Sequence, residues 1–583
     1  MRIVYWVICT VLMILSAGFL ELNKNTFLGW ALFLITAAGL FMVSRLIKGK
    51  GFWLHLSALA AYLGVMILII FLSWPPIKPV KAVEGMETVY TEPVTTANGQ
   101  VRGVKNRDGS VEVFAGIPYA KPPVNDLRWR KPQDPESWSG IRDCDHFAPM
   151  SMQEVNLPII DSLTRIIGYH DYRISLTDQY RPPVSEDSLY LNVWKPSGKQ
   201  TDLPVIVYIH GGSLKTGQPW YEDYSGESFA RDGVVAVNMG YRLGVFGFYA
   251  DEESLKEEGT TGNFGLLDQI KALEWVRDNI ASFGGDPQNV TLVGESAGAV
   301  CVDALCVSPL AEGLFQKAIM ESSTISSKEP PHSFRHLQDA LESGKSLRAR
   351  HGVSTLQELR RLKAEELVGE QETQHHVCVD GTVLLNDPYV LRRNGVHNET
   401  ALLHGFNKEE SGPFILFDHA SLRNYETKVR AFFRDSADEV LALYAPTTDS
   451  QADEYWAEIY GALFFNYSHD CIHRLMKDQE PVYQYYFTKS NGRLSSWHSG
   501  ELIYAFGMIP EDSGLFDESD RNLSRIMHEY WIRFARNGDP NGGDLPVFEQ
   551  GSDRLMELGE EVRMVDNPFR KLYDILDRMQ GFE

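Results

Sequence analysis

Three long apolar stretches dominate the start of the chain, at residues 3–20, 27–43 and 52–74. They are 18, 17 and 23 residues long and contain no Asp, Glu, Lys or Arg. A helix needs about 20 apolar residues to cross a hydrocarbon core, with about 17 as the lower limit. The pattern therefore predicts three transmembrane helices. Tyr5, Trp6, Trp30, Trp53 and Trp74 fall near the run ends, where interfacial aromatics belong. A cleaved signal peptide would account for Arg2 and the first run but not for the two runs that follow. Residues 75–91 (PPIKPVKAVEGMETVYT) read as a linker, because their three prolines oppose any continuation of the third helix.

From about Glu92 to Glu583 the pattern changes to alternating strands and helices. Residues 203–210 (LPVIVYIH) and 234–238 (VVAVN) are short β-rich runs bounded by turn residues. Over residues 265–283, Leu266, Ile270, Leu273, Val276 and Ile280 recur at helical spacing, and Gly284-Gly285-Asp286-Pro287 is a stop signal. Residues 289–293 (NVTLV) read as a strand, followed by a glycine turn and the apolar stretch 297–307. Such alternation predicts an α/β domain with a mostly parallel sheet and helices on both faces. Sheets of this kind place their sites at the carboxyl ends of the strands.

Charge divides the chain at the same place. The total is −23, from 55 Lys+Arg and 78 Asp+Glu. Up to Ala82, seven basic residues and the single acid Glu21 give +6; the remainder carries −29. This acidity excludes general nucleic-acid binding, which needs a basic footprint. The division predicts an anchor over residues 1–80, a linker over 75–91 and one domain over 92–583. With three spans, Arg2, Arg45, Lys48 and Lys50 share one side and Lys24, Lys78 and Lys81 the other. The clustered side is cytoplasmic by the positive-inside rule, which puts the acidic domain on the extracytoplasmic side.

Candidate chemistry begins at Gly294-Glu295-Ser296-Ala297-Gly298, a G-x-S-x-G between a predicted strand and a predicted helix. In that setting the sharp turn exposes the serine hydroxyl above the sheet, and small neighbours relieve the crowding. Ser296 is the candidate nucleophile. The segment around it, residues 262–299 (GNFGLLDQIKALEWVRDNIASFGGDPQNVTLVGESAGA), resembles the type-B carboxylesterase family, which also contains the cholinesterases. Further blocks match in family order: FAGIPYAKPP (114–123), LRW (127–129), SEDSLYLNVW (185–194), VYIHGGSL (207–214), YRLGVFGF (241–248) and ARNGDPN (535–541). The resemblance runs from about Val94 to the C-terminus and leaves out the first 80 or so residues. It implies an α/β-hydrolase fold, a mostly parallel central sheet flanked by helices, here preceded by three transmembrane helices.

The resemblance also implies a site. A serine hydroxyl needs a base and a group that holds the base. After the strand-like residues 401–405, the family pattern G-x-x-x-D/E-E-G maps onto Glu410 as the acid. The family's next glycine is Ser411 here, which keeps Glu409 as the alternative. After residues 482–487, the pattern H-G/S-x-E-L/I maps onto His498 as the base. Glu501 and Ser322 match positions that resemble a water-linked support of this histidine, with a plain structural role as the equal alternative. His210-Gly211-Gly212-Ser213 matches the oxyanion loop, with backbone donors at Gly212, Ser213 and Ala297. His210 itself reads as a structural support of that loop. The expected reaction is two-step acyl transfer on a small-molecule ester, with no metal or organic cofactor.

Six cysteines are irregularly spaced. Many extracellular relatives carry a disulfide whose two places hold Ser151 and Ser188 here, so the resemblance implies that this staple is absent. Residues 151–188, which match the loop bearing a choline-binding Trp in cholinesterases, contain no Trp, only Tyr169, Tyr172 and Tyr180. A quaternary-ammonium site is therefore not expected. Two competing readings remain: a lipase-like hydrolase acting on the membrane that anchors it, and a catalytically silent adhesion module, which intact Ser296, Glu410 and His498 argue against.

Overall fold

The computed structural model describes the whole chain except residues 1, 84, 86, 156, 165–180, 371–375, 491–494, 512–513 and 583. Tyr169, Tyr172 and Tyr180 lie outside the described residues. The three apolar runs form helices α1 (Arg2–Leu22), α2 (Phe27–Leu46) and α3 (Phe52–Leu72). Each is long and apolar enough to cross a membrane. At 20 residues and about 1.5 Å per residue, α2 is about 30 Å long, which matches a hydrocarbon core. α3 ends at Leu72, two residues short of the apolar run. There the Ser73 amide and hydroxyl both donate to the Ile69 carbonyl, and Pro75 and Pro76 follow.

Asparagines at the α1–α2 turn bond to one another and to α3. Asn25 donates to the Ile70 carbonyl and to Ser73 Oγ, both at 2.8 Å, and Asn23 donates to Asn25 Oδ1 at 2.7 Å. This knot ties the α1–α2 turn to the end of α3. In an apolar bundle the alternative to such pairing is a costly unsatisfied amide.

The chain divides into two compact units. One comprises Met1–Pro79 together with Val155–Pro183; the other comprises Val80–Glu154 and Val184–Glu583. In the first, helix α4 (Pro158–Thr164) is fastened to the end of α1, where Ser162 Oγ donates to the Leu22 carbonyl at 2.7 Å. Arg181 donates from its amide to the Pro76 carbonyl and from Nε to the Pro75 carbonyl, at 2.8 and 3.1 Å. The excursion therefore folds with the helices, although it leaves and re-enters the chain within the other unit.

The second unit is built on an 11-stranded sheet. Its strands are β1 (Val104–Lys105), β2 (Val111–Pro118), β3 (Tyr190–Pro196), β4 (Leu203–Ile209), β5 (Val235–Met239), β6 (Gly285–Glu295), β7 (Lys317–Glu321), β8 (Leu402–Asn407), β9 (Val482–Phe487), β10 (Leu555–Leu558) and β11 (Val562–Val565). The order across the sheet is β11-β10-β9-β8-β7-β6-β4-β5-β3-β2-β1. From β5 through β4, β6, β7, β8 and β9 to β10 every pairing is parallel; the outer pairings are antiparallel. Alternate residues of β4 feed opposite faces. Val205, Val207 and Ile209 join one core cluster, Ile206 and Tyr208 the other. This period of two explains why the central strands read as continuous apolar runs: helices cover both faces. The predicted helix over 265–283 is α5 (Phe264–Asn279), completed by a 3-10 turn and stopped at Gly284, whose φ is +90°.

Ser151 and Ser188 are both buried, and their hydroxyl oxygens lie 3.0 Å apart. All six cysteines are free and buried. A hydrogen bond thus occupies the place of the missing staple. Ser151→Cys with Ser188→Cys is expected to form a disulfide and to stabilise the fold by about 3–4 kcal/mol for a loop of this length. A thiol count in denaturant and melting with and without reductant would check this; two free added thiols would refute it.

Candidate active site

The carboxyl ends of β4, β6, β7 and β8 lie side by side, with Ile209 opposite Gly294, Glu295 opposite Glu321 and Glu321 opposite Gly405. Between β6 and α6 (Ala297–Cys306) the backbone reverses at Ser296, with φ +55° and ψ −126°. A non-glycine residue in this region is strained. Close packing holds it there: a Cβ at Gly294 would strike the Gly298 backbone, and one at Gly298 would strike the Ile209 carbonyl. The Ser296 amide donates to the Glu321 carbonyl at 2.8 Å, fixing the turn to β7. These contacts are the physical content of the G-x-S-x-G pattern.

His498 follows β9 on a turn and approaches Ser296 from the other side. Ser296 Oγ lies 2.7 Å from His498 Nε2, and His498 Nδ1 lies 2.5 Å from Glu410 Oε2. Glu410 is wholly buried, and its other oxygen accepts the Asn407 amide at 2.7 Å. Glu409 is half-exposed and pairs through its backbone with Trp497, so it is Glu410 that reaches the imidazole. Ser322 Oγ donates to Glu501 Oε1 at 2.8 Å, and Asn407 Nδ2 donates to Glu501 Oε2 and to the Trp497 carbonyl. Glu501 and Ser322 thus brace the His498 turn through Asn407, a residue that local sequence does not single out.

Gly212, Ser213 and Leu214 all have positive φ, at +106°, +56° and +58°. At Gly212 this is obligatory, because a Cβ would run into the Thr216 carbonyl. The amides of Gly212, Ser213 and Ala297 donate to no other described backbone group. The loop is held from behind. Gln153 bonds both polar atoms of Gly217, at 2.8 and 3.0 Å, and His210 stacks on Tyr241 with centroids 4.6 Å apart. Burial pushes His210 down to about 4, so it is neutral and structural. The Gln153 clamp carries no motif, and sequence reasoning misses it.

The electrostatics are dominated by carboxylates. Glu295, Glu321, Glu410 and Glu501 are all at most 3% exposed. Glu295 lies 3.4 Å from His498 Nε2 and accepts Ser499 Oγ at 2.6 Å. Burial alone would lower the His498 imidazole, but Glu295 and Glu410 outweigh it and push it up to about 9. Burial, with repulsion from Glu295 and Glu410, pushes Glu501 up to about 8, and burial raises Glu321 well above the carboxylate range. At neutral pH Glu501 therefore holds a proton. Phe414 and Phe465 flank His498 at 5.1 and 4.7 Å between ring centroids, giving its surroundings apolar walls.

A strained serine, an imidazole and a buried carboxylate in one line, beside free amides, is equipment for acyl transfer. The model of the carboxylesterase family matches residues 91–575. The chain belongs to the carboxylesterase family. This carboxylesterase is 33% identical over 508 residues to a medium-chain fatty acyl-CoA hydrolase precursor of Anas platyrhynchos, covering 80% of this chain and 88% of that one. It is 32% identical to a fumonisin B1 esterase of Sphingopyxis macrogoltabida, covering 80% and 86%. Against a phenmedipham hydrolase of Pseudarthrobacter oxydans it is 30% identical, covering 81% and 96%. A solved structure of a PNB esterase superposes with a TM-score of 0.70 at 28% identity, covering 83% of this chain and 99% of that one. The fold is the α/β-hydrolase fold expected from the sequence, and the chain is a carboxylic-ester hydrolase.

Proposed function

We propose that this carboxylesterase is anchored in a bilayer by α1–α3 and hydrolyses esters through an acyl-enzyme on Ser296. The unbroken line from Ser296 Oγ through His498 to Glu410 carries the reading. Ser296 Oγ attacks the ester carbonyl while His498 Nε2 takes its proton. Glu410 holds Nδ1–H and offsets the imidazolium charge. The amides of Gly212, Ser213 and Ala297 hold the tetrahedral oxyanion. His498 then protonates the leaving alcohol, the C–O bond breaks, and the acyl group stays on Ser296. Water, deprotonated by His498, attacks that acyl group and releases the acid, and the proton returns to Ser296 through His498. The clustered basic residues Arg45, Lys48 and Lys50 support a catalytic unit on the extracytoplasmic side.

One observation favours esters with long apolar groups. Beyond Glu410, Phe414 and Leu416 are 43% and 42% exposed and Phe417 is 99% exposed. The Phe414 ring also flanks His498, so exposed apolar surface lies beside the catalytic residues for a long acyl chain to bind. Full-length protein in detergent, given p-nitrophenyl esters from acetyl to palmitoyl, is expected to favour the medium and long chains. It is also expected to take a fluorophosphonate label on Ser296. A preference for acetate would remove the lipid-ester reading; an unlabelled Ser296 would favour the silent binding module.

A further inference from the structure

A second cluster of ionisable groups lies at the opposite edge of the sheet. His397 and Glu399 stand between α7 (Pro388–Arg393) and β8, and Glu480 stands between α8 (Tyr467–Met476) and β9. β8 and β9 are parallel, with Leu402 opposite Val482, so both turns meet at the amino-terminal edge. Glu410 and His498 follow the carboxyl ends of the same two strands. Six residues of β8 at about 3.3 Å each put the two edges about 20 Å apart.

One donor atom from each of His397, Glu399 and Glu480 lies within 4.8 Å of the others. The two glutamates are buried, at 1% and 8% exposure. Arg392 Nη1 donates to Glu399 Oε1 at 2.5 Å and Arg392 Nε donates to Asp303 Oδ1 at 2.9 Å. This leaves Glu399 Oε2 and both oxygens of Glu480 without a hydrogen bond from any described residue. Glu480 Oε2 lies 3.4 Å from His397 Nδ1, which donates to the Glu399 carbonyl at 2.9 Å. Arg392 thus pairs with Asp303 and Glu399, and Glu480 faces His397. Buried carboxylate oxygens left without a hydrogen bond are disfavoured.

We propose that His397, Glu399 and Glu480 hold a divalent first-row metal ion, Zn²⁺ or Mn²⁺. An imidazole and two carboxylates suit such an ion. The His397 side chain is 19% exposed, so this end of the cluster touches solvent. At this distance from Ser296 the ion takes no part in ester cleavage. It clips the α7–β8 turn to the α8–β9 turn and so stabilises the two strands that lead to Glu410 and His498.

The test uses the full-length protein in detergent, stripped with a chelator, desalted, and re-exposed to ZnCl2 or MnCl2. Bound metal is counted by mass spectrometry, and unfolding is followed by melting. Wild type is expected to take up one ion per chain and to melt higher with the ion than without. Glu480→Gln and, separately, His397→Gln are expected to bind none, to melt independently of added ion, and to keep wild-type turnover at 25 °C. Equal uptake by wild type and both variants would overturn the proposal, because the metal would then sit on other surface groups. So would a wild-type melt that ignores chelator and ion alike, which would make protonated His397 the counter-charge. The chelator response of the wild type needs no variant, so a variant that fails to fold leaves the test intact.

Discussion

Ser296→Ala is expected to lower ester turnover by about a millionfold, the loss seen when the nucleophile of a Ser-His-acid relay is removed. The remaining rate comes from the oxyanion amides and substrate binding, which the substitution leaves in place. The fold should survive. Alanine keeps the Cβ that the turn already accommodates, and only the 2.7 Å bond to His498 Nε2 is lost. Steady-state hydrolysis of a p-nitrophenyl ester, beside a melting curve that shows a folded protein, checks the result. Turnover within tenfold of wild type would eliminate Ser296 as the nucleophile.

Glu410→Gln should cost about 10⁴ in turnover, because a neutral amide no longer favours the imidazole tautomer with the proton on Nδ1. Glu409→Gln should stay within about threefold of wild type, as befits a surface change away from any buried contact. The pH profile gives a separate signature. His498 serves as base only when deprotonated, and its value of about 9 means that kcat/KM of the wild type rises with pH above the ordinary imidazole range. Glu410 raises that value, so Glu410→Gln moves the rising limb to lower pH even as the rate falls. A limb that stayed in place would mean that another group titrates, and a large loss in Glu409→Gln would reverse the assignment of the acid.

What could be read from sequence was what a short stretch of backbone enforces. The turn at Ser296 needs small residues two positions away on either side, so G-x-S-x-G appears as a local pattern. Gly212 leaves its mark for the same reason. The helix over 265–283 and the strand over 482–487 follow from periodicity. Glu410 and His498 stand out only by family pattern, since their hydrogen bonds span 88 and 202 residues and no local rule encodes them. Glu409 and Glu410 are adjacent and chemically identical; only the burial of one side chain separates them. Asn407, the Gln153 clamp and the Arg392 cluster left no local signal, because each is assembled by strands that meet only in the folded sheet. The attachment of α4 and Arg181 to the N-terminal segment is hidden for a similar reason. It depends on single contacts, such as Ser162 with Leu22, that no hydropathy pattern reports.

Those contacts change what attachment means for this protein. The polypeptide passes from one unit to the other after Pro79, again after Glu154 and again after Pro183. The enzyme is thus laced to its helices rather than leashed to them. A protease that nicks the stretch between Pro79 and Val94 severs one connection but leaves those after Glu154 and Pro183 intact. Separating the catalytic unit from the helical one therefore takes more than one cut.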